Sequence, residues 1–66
     1  MIIVLKDNPD QKQLENLVSW LKSMGLDIHM SKGQSATIMG LIGDTAAVDI
    51  DLINAMDIVE TVKRVQ

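Results

Sequence analysis

The sequence predicts the α+β class, with one four-stranded antiparallel sheet and two helices on the same face of it. The first observation behind this prediction is the order of segments, which reads strand-helix-strand-strand-helix-strand. The second is that this order fills all 66 residues, so we expect a single domain over residues 1–66. The third is that two strand-helix-strand units with right-handed crossovers place both helices on one side of the sheet.

The first strand is predicted over residues 2–6, which form a nearly continuous apolar run. Such a run is typical of a central strand that is buried on both faces. Pro9 interrupts the run, and either Asn8 or Asp10 is a suitable N-cap for the helix that follows.

The first helix is predicted from apolar residues that recur three and four positions apart and so form one stripe that faces the sheet. The stripe consists of Leu14, Leu17, Val18, Leu21 and Met24. Trp20 lies at the margin of this stripe, where its ring either covers the edge of the core or contacts a partner. Gly25 follows as the expected end of the helix.

The second strand is predicted over residues 26–32, where apolar and polar residues alternate as in a strand with one face on the core. The core side holds Leu26, Ile28 and Met30, and the other side holds Asp27, His29 and Ser31. Residues 32–35 form the expected hairpin loop.

The third strand, over residues 36–42, returns from this loop. A turn centred on Gly33 and Gln34 pairs His29 with Ile38 and Ser31 with Ala36. By parity, the residues that share one sheet face are then His29, Ser31, Ala36, Ile38 and Gly40, and Thr37 lies on the opposite face.

The second helix is predicted from about residue 46, with Asp44 or Thr45 as its N-cap. Its apolar residues form two stripes, a wider one with Ala46, Ile50 and Ile53 and a narrower one with Val48 and Leu52. Asp49 and Asp51 are two positions apart, which indicates a solvated face rather than a metal pair. Asp57 ends the helix, and a last strand over residues 58–65 carries charges that suit a position near solvent.

This arrangement is the ferredoxin-like βαββαβ sandwich, a four-stranded antiparallel sheet with two helices on one face. The face without helices holds Ala36 and Ile38 beside His29 and Ser31. A mixed apolar and polar face on so small a domain is a candidate interface.

Composition argues against several classes of function. The net charge of −3 argues against nucleic acid, and no apolar run approaches the ~20 residues of a membrane span. With one histidine and no cysteine, no metal site and no cofactor are expected. The apolar start of the chain is too short for a signal peptide, so we expect a cytoplasmic protein.

His29 and Ser31 are the most informative polar pair, because a spacing of two on a strand projects them side by side from one face. An imidazole and a hydroxyl together offer a donor and an acceptor that could bracket a small polar group such as a phenol. The alternative is that both are simply solvated residues beside a hairpin.

Patterns that would indicate catalysis are mostly missing. Gly40 and Gly43 are three apart, which indicates close packing in the strand and a turn rather than a phosphate loop. A small enzyme of the acylphosphatase type requires an arginine-bearing anion loop after the first strand. Residues 7–10 read Asp-Asn-Pro-Asp, which would repel phosphate. We therefore expect a module that binds or regulates and is not itself an enzyme.

The chain resembles a known family over nearly its whole length. The segments that carry the resemblance are residues 1–6, residues 29–34 (His-Met-Ser-Lys-Gly-Gln), residues 36–38 (Ala-Thr-Ile), residues 40–44 (Gly-Leu-Ile-Gly-Asp) and residues 59–65. Together they are similar to the amino-terminal regulatory domain of type I beta 3-deoxy-D-arabino-heptulosonate 7-phosphate (DAHP) synthase, which commits carbon to the shikimate pathway.

The resemblance implies a domain that is related in architecture to ACT domains and precedes a catalytic (β/α)8 barrel. It also implies that an aromatic amino acid, tyrosine or phenylalanine, binds where two such domains meet, and that closure of the pair blocks access to the barrel. Carried over by position, His29 and Ser31 contact the side chain of the bound amino acid. The barrel and its metal and substrate residues have no counterpart in these 66 residues.

Two hypotheses follow from these observations. In the first, the domain pairs with a second copy through the face without helices, binds an aromatic amino acid between the copies, and acts on a catalytic barrel in cis or in trans. In the second, the same face serves only oligomerisation or docking, with no small-molecule ligand.

Overall fold

The computed structural model describes residues 1–34 and 36–64 and confirms the predicted order of elements. The strands pair in the order β2-β3-β1-β4 with antiparallel neighbours throughout, so β1 and β3 are central and β2 and β4 are edge strands. This is the predicted ferredoxin-like sheet. The elements are β1 (Ile2–Leu5), α1 (Gln11–Ser23), β2 (Asp27–Lys32), β3 (Thr37–Ile42), α2 (Ile50–Asn54) and β4 (Val59–Lys63).

The hydrophobic core lies between the sheet and the helices, and it is aliphatic. In β1, Ile3 and Leu5 are buried against the helices, whereas Ile2 and Val4 point the other way and are half-buried. The prediction of a central first strand is therefore confirmed. The prediction that it is buried on both faces is wrong, because no helix covers the second face. The buried residues are Met1, Ile3, Leu5, Leu14, Leu17, Leu21, Leu26, Met39, Leu41, Val48, Ile53, Ile58 and Val59.

Helix α1 begins and ends where the sequence predicts. Of the two candidate N-caps, Asp10 is the one used, since its carboxylate accepts a hydrogen bond from the Gln13 backbone N–H at 3.0 Å. Gly25 has a φ of 83° just after the helix, a left-handed conformation that favours glycine. The predicted stripe is also confirmed, as Leu14, Leu17 and Leu21 are buried in the core.

The β2–β3 hairpin has the predicted parity but a different register, and Met30, which is predicted on the core side, is 41% exposed. His29 lies opposite Gly40, and Ser31 lies opposite Ile38. The Gly33 N–H donates to the Ala36 carbonyl at 2.8 Å, so the turn is centred one residue later than predicted. This moves every cross-strand partner by two residues and leaves the side-chain parity unchanged. Ser35 of the predicted loop lies outside the described residues.

Helix α2 is shorter than predicted, because it begins at Ile50 instead of residue 46 and uses Asp49 as its N-cap. The Asp49 carboxylate accepts the Leu52 N–H at 3.2 Å, whereas the predicted cap Asp44 accepts the Ala46 N–H at 3.0 Å in a local turn. The hydrogen bond of Asp44 closes a local turn two residues long, and a turn of this kind competes with helix formation.

Because residues 46–49 are not helical, the two predicted stripes of α2 are wrong in part. Val48 and Ile53 are buried in the core, but Ala46 is exposed and Leu52 is 50% exposed. Arg64 helps to hold this segment, since its guanidinium donates to the Thr45 carbonyl at 3.3 Å and to the Val48 carbonyl at 3.4 Å.

Strand β4 begins at Val59, one residue later than predicted, and Ile58 is buried in the turn before it. The Ile58 carbonyl accepts the Lys6 N–H at 2.8 Å, which joins the end of β1 to the start of β4. As predicted, Glu60 and Lys63 are exposed on an edge strand. The predicted end of this strand, Val65, lies outside the described residues.

Candidate functional site

The sheet face that no helix covers, here called the open face, is the candidate functional surface. Its members follow from the strand register, because directly opposed residues on antiparallel strands point to the same side. The open face consists of Ile2, Val4, Asp27, His29, Ser31, Ile38, Gly40, Ile42, Thr61 and Lys63.

The register arranges most of these residues in two rows across the four strands. One row runs Ser31, Ile38, Val4, Thr61, and the next runs His29, Gly40, Ile2, Lys63. His29 and Ser31 are therefore the first residues of two adjacent rows, and both lie on edge strand β2. They are about 7 Å apart along the strand. The structure brings the two predicted site residues together on one face, as their spacing requires.

The open face is apolar in its middle and polar at its edges. Ile38 is 39% exposed and Ile42 is 55% exposed, and Ile2 and Val4 beside them are half-buried. On the β2 side the apolar middle is bordered by His29 and Ser31, both exposed, and on the β4 side by Thr61 and Lys63. This is the distribution expected of an interface with a hydrophobic centre and a polar rim.

The polar groups of His29 and Ser31 are free to bind. Among residues 1–34 and 36–64, no side-chain hydrogen bond involves the His29 imidazole or the Ser31 hydroxyl. Together they offer donors and acceptors on the same side of the sheet. The pair could therefore hold a hydroxyl group that lies on the open face near β2.

Two other residues that the sequence places near this site have different positions. Ala36 precedes β3, which begins at Thr37, so it lies outside the two rows. Thr37 pairs with buried Leu5 and therefore lies on the helix side, as predicted.

Sequence reasoning missed the part of the open face that β1 and β4 contribute. The sequence predicts that Ile2 and Val4 belong to a strand buried on both faces, and it predicts no partner for Lys63. The sequence has no local signal for the pairing of Ile2 with Lys63, because these residues come from opposite ends of the chain.

A second concave region lies on the helix side, between α1 and α2. This groove has a volume of about 390 Å³ and is bordered by Trp20, Leu52 and Met56 among others. Trp20 is half-buried and packs against the core, which confirms the interpretation that its ring covers the core edge. Leu52 remains exposed at the groove.

The described residues have no metal-binding cluster. Within residues 1–34 and 36–64, no three histidine, cysteine or carboxylate side chains are grouped so that they could hold a metal ion. In the same two stretches, neither helix has the length and apolar character of a membrane span.

Comparisons with known proteins point to one family. The family model described as the DAHP synthase ferredoxin-like domain matches residues 1–66. The phospho-2-dehydro-3-deoxyheptonate aldolase of Thermotoga maritima is 40% identical over 65 residues, which cover 98% of this chain and 19% of that protein. A crystal structure of phospho-2-dehydro-3-deoxyheptonate aldolase (DAHP synthase) from the same organism superposes with a TM-score of 0.84 at 38% identity, with the same coverage. The chain thus spans about a fifth of the length of these relatives.

Proposed function

The chain belongs to the DAHP synthase ferredoxin-like domain family, and on that basis we propose that it is a non-catalytic regulatory module of aromatic amino acid biosynthesis. In this proposal two copies pair through their open faces and bind tyrosine or phenylalanine between them, in the cytoplasm. The observation that carries the proposal is the position of His29 and Ser31, which lie side by side at the edge of an exposed apolar sheet face.

Exposure of the open face supports the pairing. A domain of this size keeps few large aliphatic side chains in water without a reason, and a contiguous apolar patch marks an interaction site. Ile38 and Ile42 are exposed in the middle of this face. Because only about two-fifths of Ile38 and about half of Ile42 remain exposed, their burial against a second copy would contribute about 1 kcal/mol for each side chain.

The chemistry of His29 and Ser31 supports the choice of ligand. A phenol both donates and accepts a hydrogen bond, and the two side chains can supply the complementary groups. Each hydrogen bond contributes about 0.5–1.5 kcal/mol net, so the pair would favour tyrosine over phenylalanine by roughly ten- to a hundredfold if both bonds form.

Regulation would follow from shared binding. A ligand that contacts two copies binds only the associated form, and it therefore shifts the equilibrium toward association by its differential affinity. If each copy is attached to, or docks on, a catalytic barrel in cis or in trans, association would couple ligand binding to access to the active site.

Calorimetry of the 66-residue chain with L-tyrosine and L-phenylalanine tests the proposal directly. We expect heat of binding for at least one of them, together with an increase in sedimentation coefficient when the ligand is present. No heat and no change in size at millimolar ligand would contradict ligand sensing by this domain.

Replacement of the two polar residues separates this proposal from the alternative, an oligomerisation or docking module without a ligand. The exposed isoleucines favour that alternative as well, because they support pairing with no need for a polar guest. In the His29→Ala, Ser31→Ala double variant we expect association to remain and ligand affinity to fall at least tenfold. Under the alternative, the double variant associates as the unaltered chain does, and neither protein binds the amino acid. Ser19→Ala, on an exposed helix position, is the matched control.

A further inference from the structure

Gly40 lies in the middle of β3, and nothing within the described chain requires glycine there. Its φ is outside the left-handed region, in contrast to Gly25 and Gly43. A Cβ added at Gly40 would meet no atom closer than 3.9 Å, the His29 carbonyl oxygen, followed by the His29 Cβ at 4.0 Å. These are ordinary van der Waals distances, so an alanine would fit both the backbone and the neighbouring strand.

Glycine at such a position lowers stability. It loses more backbone entropy on folding than any other residue, and it has no side chain to pack against the neighbouring strands. A glycine in the middle of a strand often marks a place where a ligand or another backbone approaches closely. No contact within the described residues compensates for the stability that glycine loses here. A group from outside the chain that packs on Gly40 would explain why glycine is present.

Four side chains surround this space on the open face. His29 and Ile2 lie opposite Gly40 on the two neighbouring strands, which are about 5 Å away on each side. Ile38 and Ile42 precede and follow Gly40 by two residues on β3 itself, about 7 Å away in each direction. Because Gly40 has no side chain of its own, its Cα forms the floor between three aliphatic side chains and one imidazole on this face.

We infer that Gly40 is a specificity-determining residue of the proposed amino-acid site, with the aromatic ring of the ligand lying flat on its Cα. This inference rests on the proposed function. Carbon atoms in contact are about 3.5–4.0 Å apart, and a displacement of only ~0.5–1 Å loses a quarter to a half of the attraction. A Cβ on residue 40 would move the ring away from the Cα by more than this displacement. Only glycine therefore lets the ring contact both the Cα and the surrounding aliphatic side chains.

The same placement accounts for the positions of the polar residues. A ring centred on Gly40 has His29 directly beside it and Ser31 one row further along β2. A hydroxyl at the ring edge nearest β2 would then lie between the imidazole and the serine hydroxyl. Gly40 selects for a flat ring, and the two polar residues select for its hydroxyl.

The test uses Gly40→Ala and Gly40→Val in the full 66-residue chain. We expect both variants to fold, with the midpoint of thermal unfolding of Gly40→Ala raised by about 2–6 °C. We expect the affinity for L-tyrosine, measured by calorimetry, to fall at least tenfold in Gly40→Ala and to be lost in Gly40→Val. Ser19→Leu adds bulk at an exposed position of α1, away from the open face, and serves as the control, with unchanged affinity.

The outcomes distinguish this inference from the function on which it rests. If the unaltered chain binds neither L-tyrosine nor L-phenylalanine, the proposed function fails and the role of Gly40 in it fails too. If the unaltered chain binds and Gly40→Ala binds equally well, only the inference is overturned. If Gly40→Ala no longer self-associates in the absence of ligand, a side chain of the second copy packs on Gly40. That result also overturns the inference, because the aromatic ring of the ligand cannot occupy the same position.

Discussion

The two faces of the sheet are built from the same strands, yet in the central strand β3 they differ sharply in exposure. In β3, Met39 is fully buried under the helices, while Ile38 immediately before it is 39% exposed on the open face. Leu41 and Ile42 repeat the contrast at 6% and 55%. Since both faces carry aliphatic residues, hydrophobicity alone does not tell them apart. What separates them is that only one has helices packed against it.

The difference indicates a division of roles. The helix side supplies the burial that stabilises a chain of 66 residues, a size at which only about 60% of the unfolded surface becomes buried. The open face contributes little to that stability and is available for binding. Substitutions on the helix side should therefore change mainly the stability of the domain, and substitutions on the open face should change mainly binding.

The largest expected effect comes from a charge placed on either face of β3. Leu41→Lys would put an ammonium group into the core, which costs several kcal/mol, so we expect most of the domain to be unfolded. Ile42→Lys would put the same group on the open face opposite Asp27, where opposite charges across strands are favourable. Circular dichroism and urea unfolding measure both. A well-folded Leu41→Lys would contradict the assignment of the two faces.

The next effect compares two leucines on the helix side. Leu21 is fully buried between α1 and the sheet, whereas Leu52 is 50% exposed at the groove between the helices. Leu21→Ala should lower the free energy of unfolding by about 2–5 kcal/mol because it leaves a cavity. Leu52→Ala should cost less than about 1.5 kcal/mol, since much of its side chain is already in water. Equal losses for the two variants would show that Leu52 is buried in solution.

A third prediction concerns association through the open face. Ile38→Ser removes the aliphatic side chain in the middle of this face and should weaken self-association roughly ten- to a hundredfold, because each of the two copies loses about 1 kcal/mol of burial. The free energy of unfolding at low protein concentration should change much less. Sedimentation velocity over a dilution series measures the association. Unaltered self-association in this variant would exclude pairing through this part of the sheet.

The smallest effect is local to the helix side. Asp10→Ala removes the carboxylate that accepts the Gln13 N–H, and it should lower the free energy of unfolding by about 1 kcal/mol. Asp7→Ala, at an exposed position before the helix, is the control and should be nearly neutral. Thermal unfolding measures both variants, and ligand affinity should be unchanged in each. A loss of affinity in Asp10→Ala would show that the two faces are coupled.

The number, type and order of the elements and the parity of the hairpin follow from the amino-acid sequence alone. These features depend on periodicity and capping among close neighbours, as in the stripe of α1 that ends at Gly25. The same parity is sufficient to place His29 and Ser31 on one face of the sheet.

The start of α2, the register of the hairpin and the residues that complete the open face depend instead on contacts between distant parts of the chain. Helix α2 begins late because Asp44 and Arg64 bind backbone groups of the preceding segment, and Arg64 lies far along the chain. The surroundings of Gly40 arise from the pairing of β3 with β1 and β2. The sequence contains no local signal for such long-range strand pairs. The alternation of apolar and polar residues within one strand is the same whichever strands pair with it.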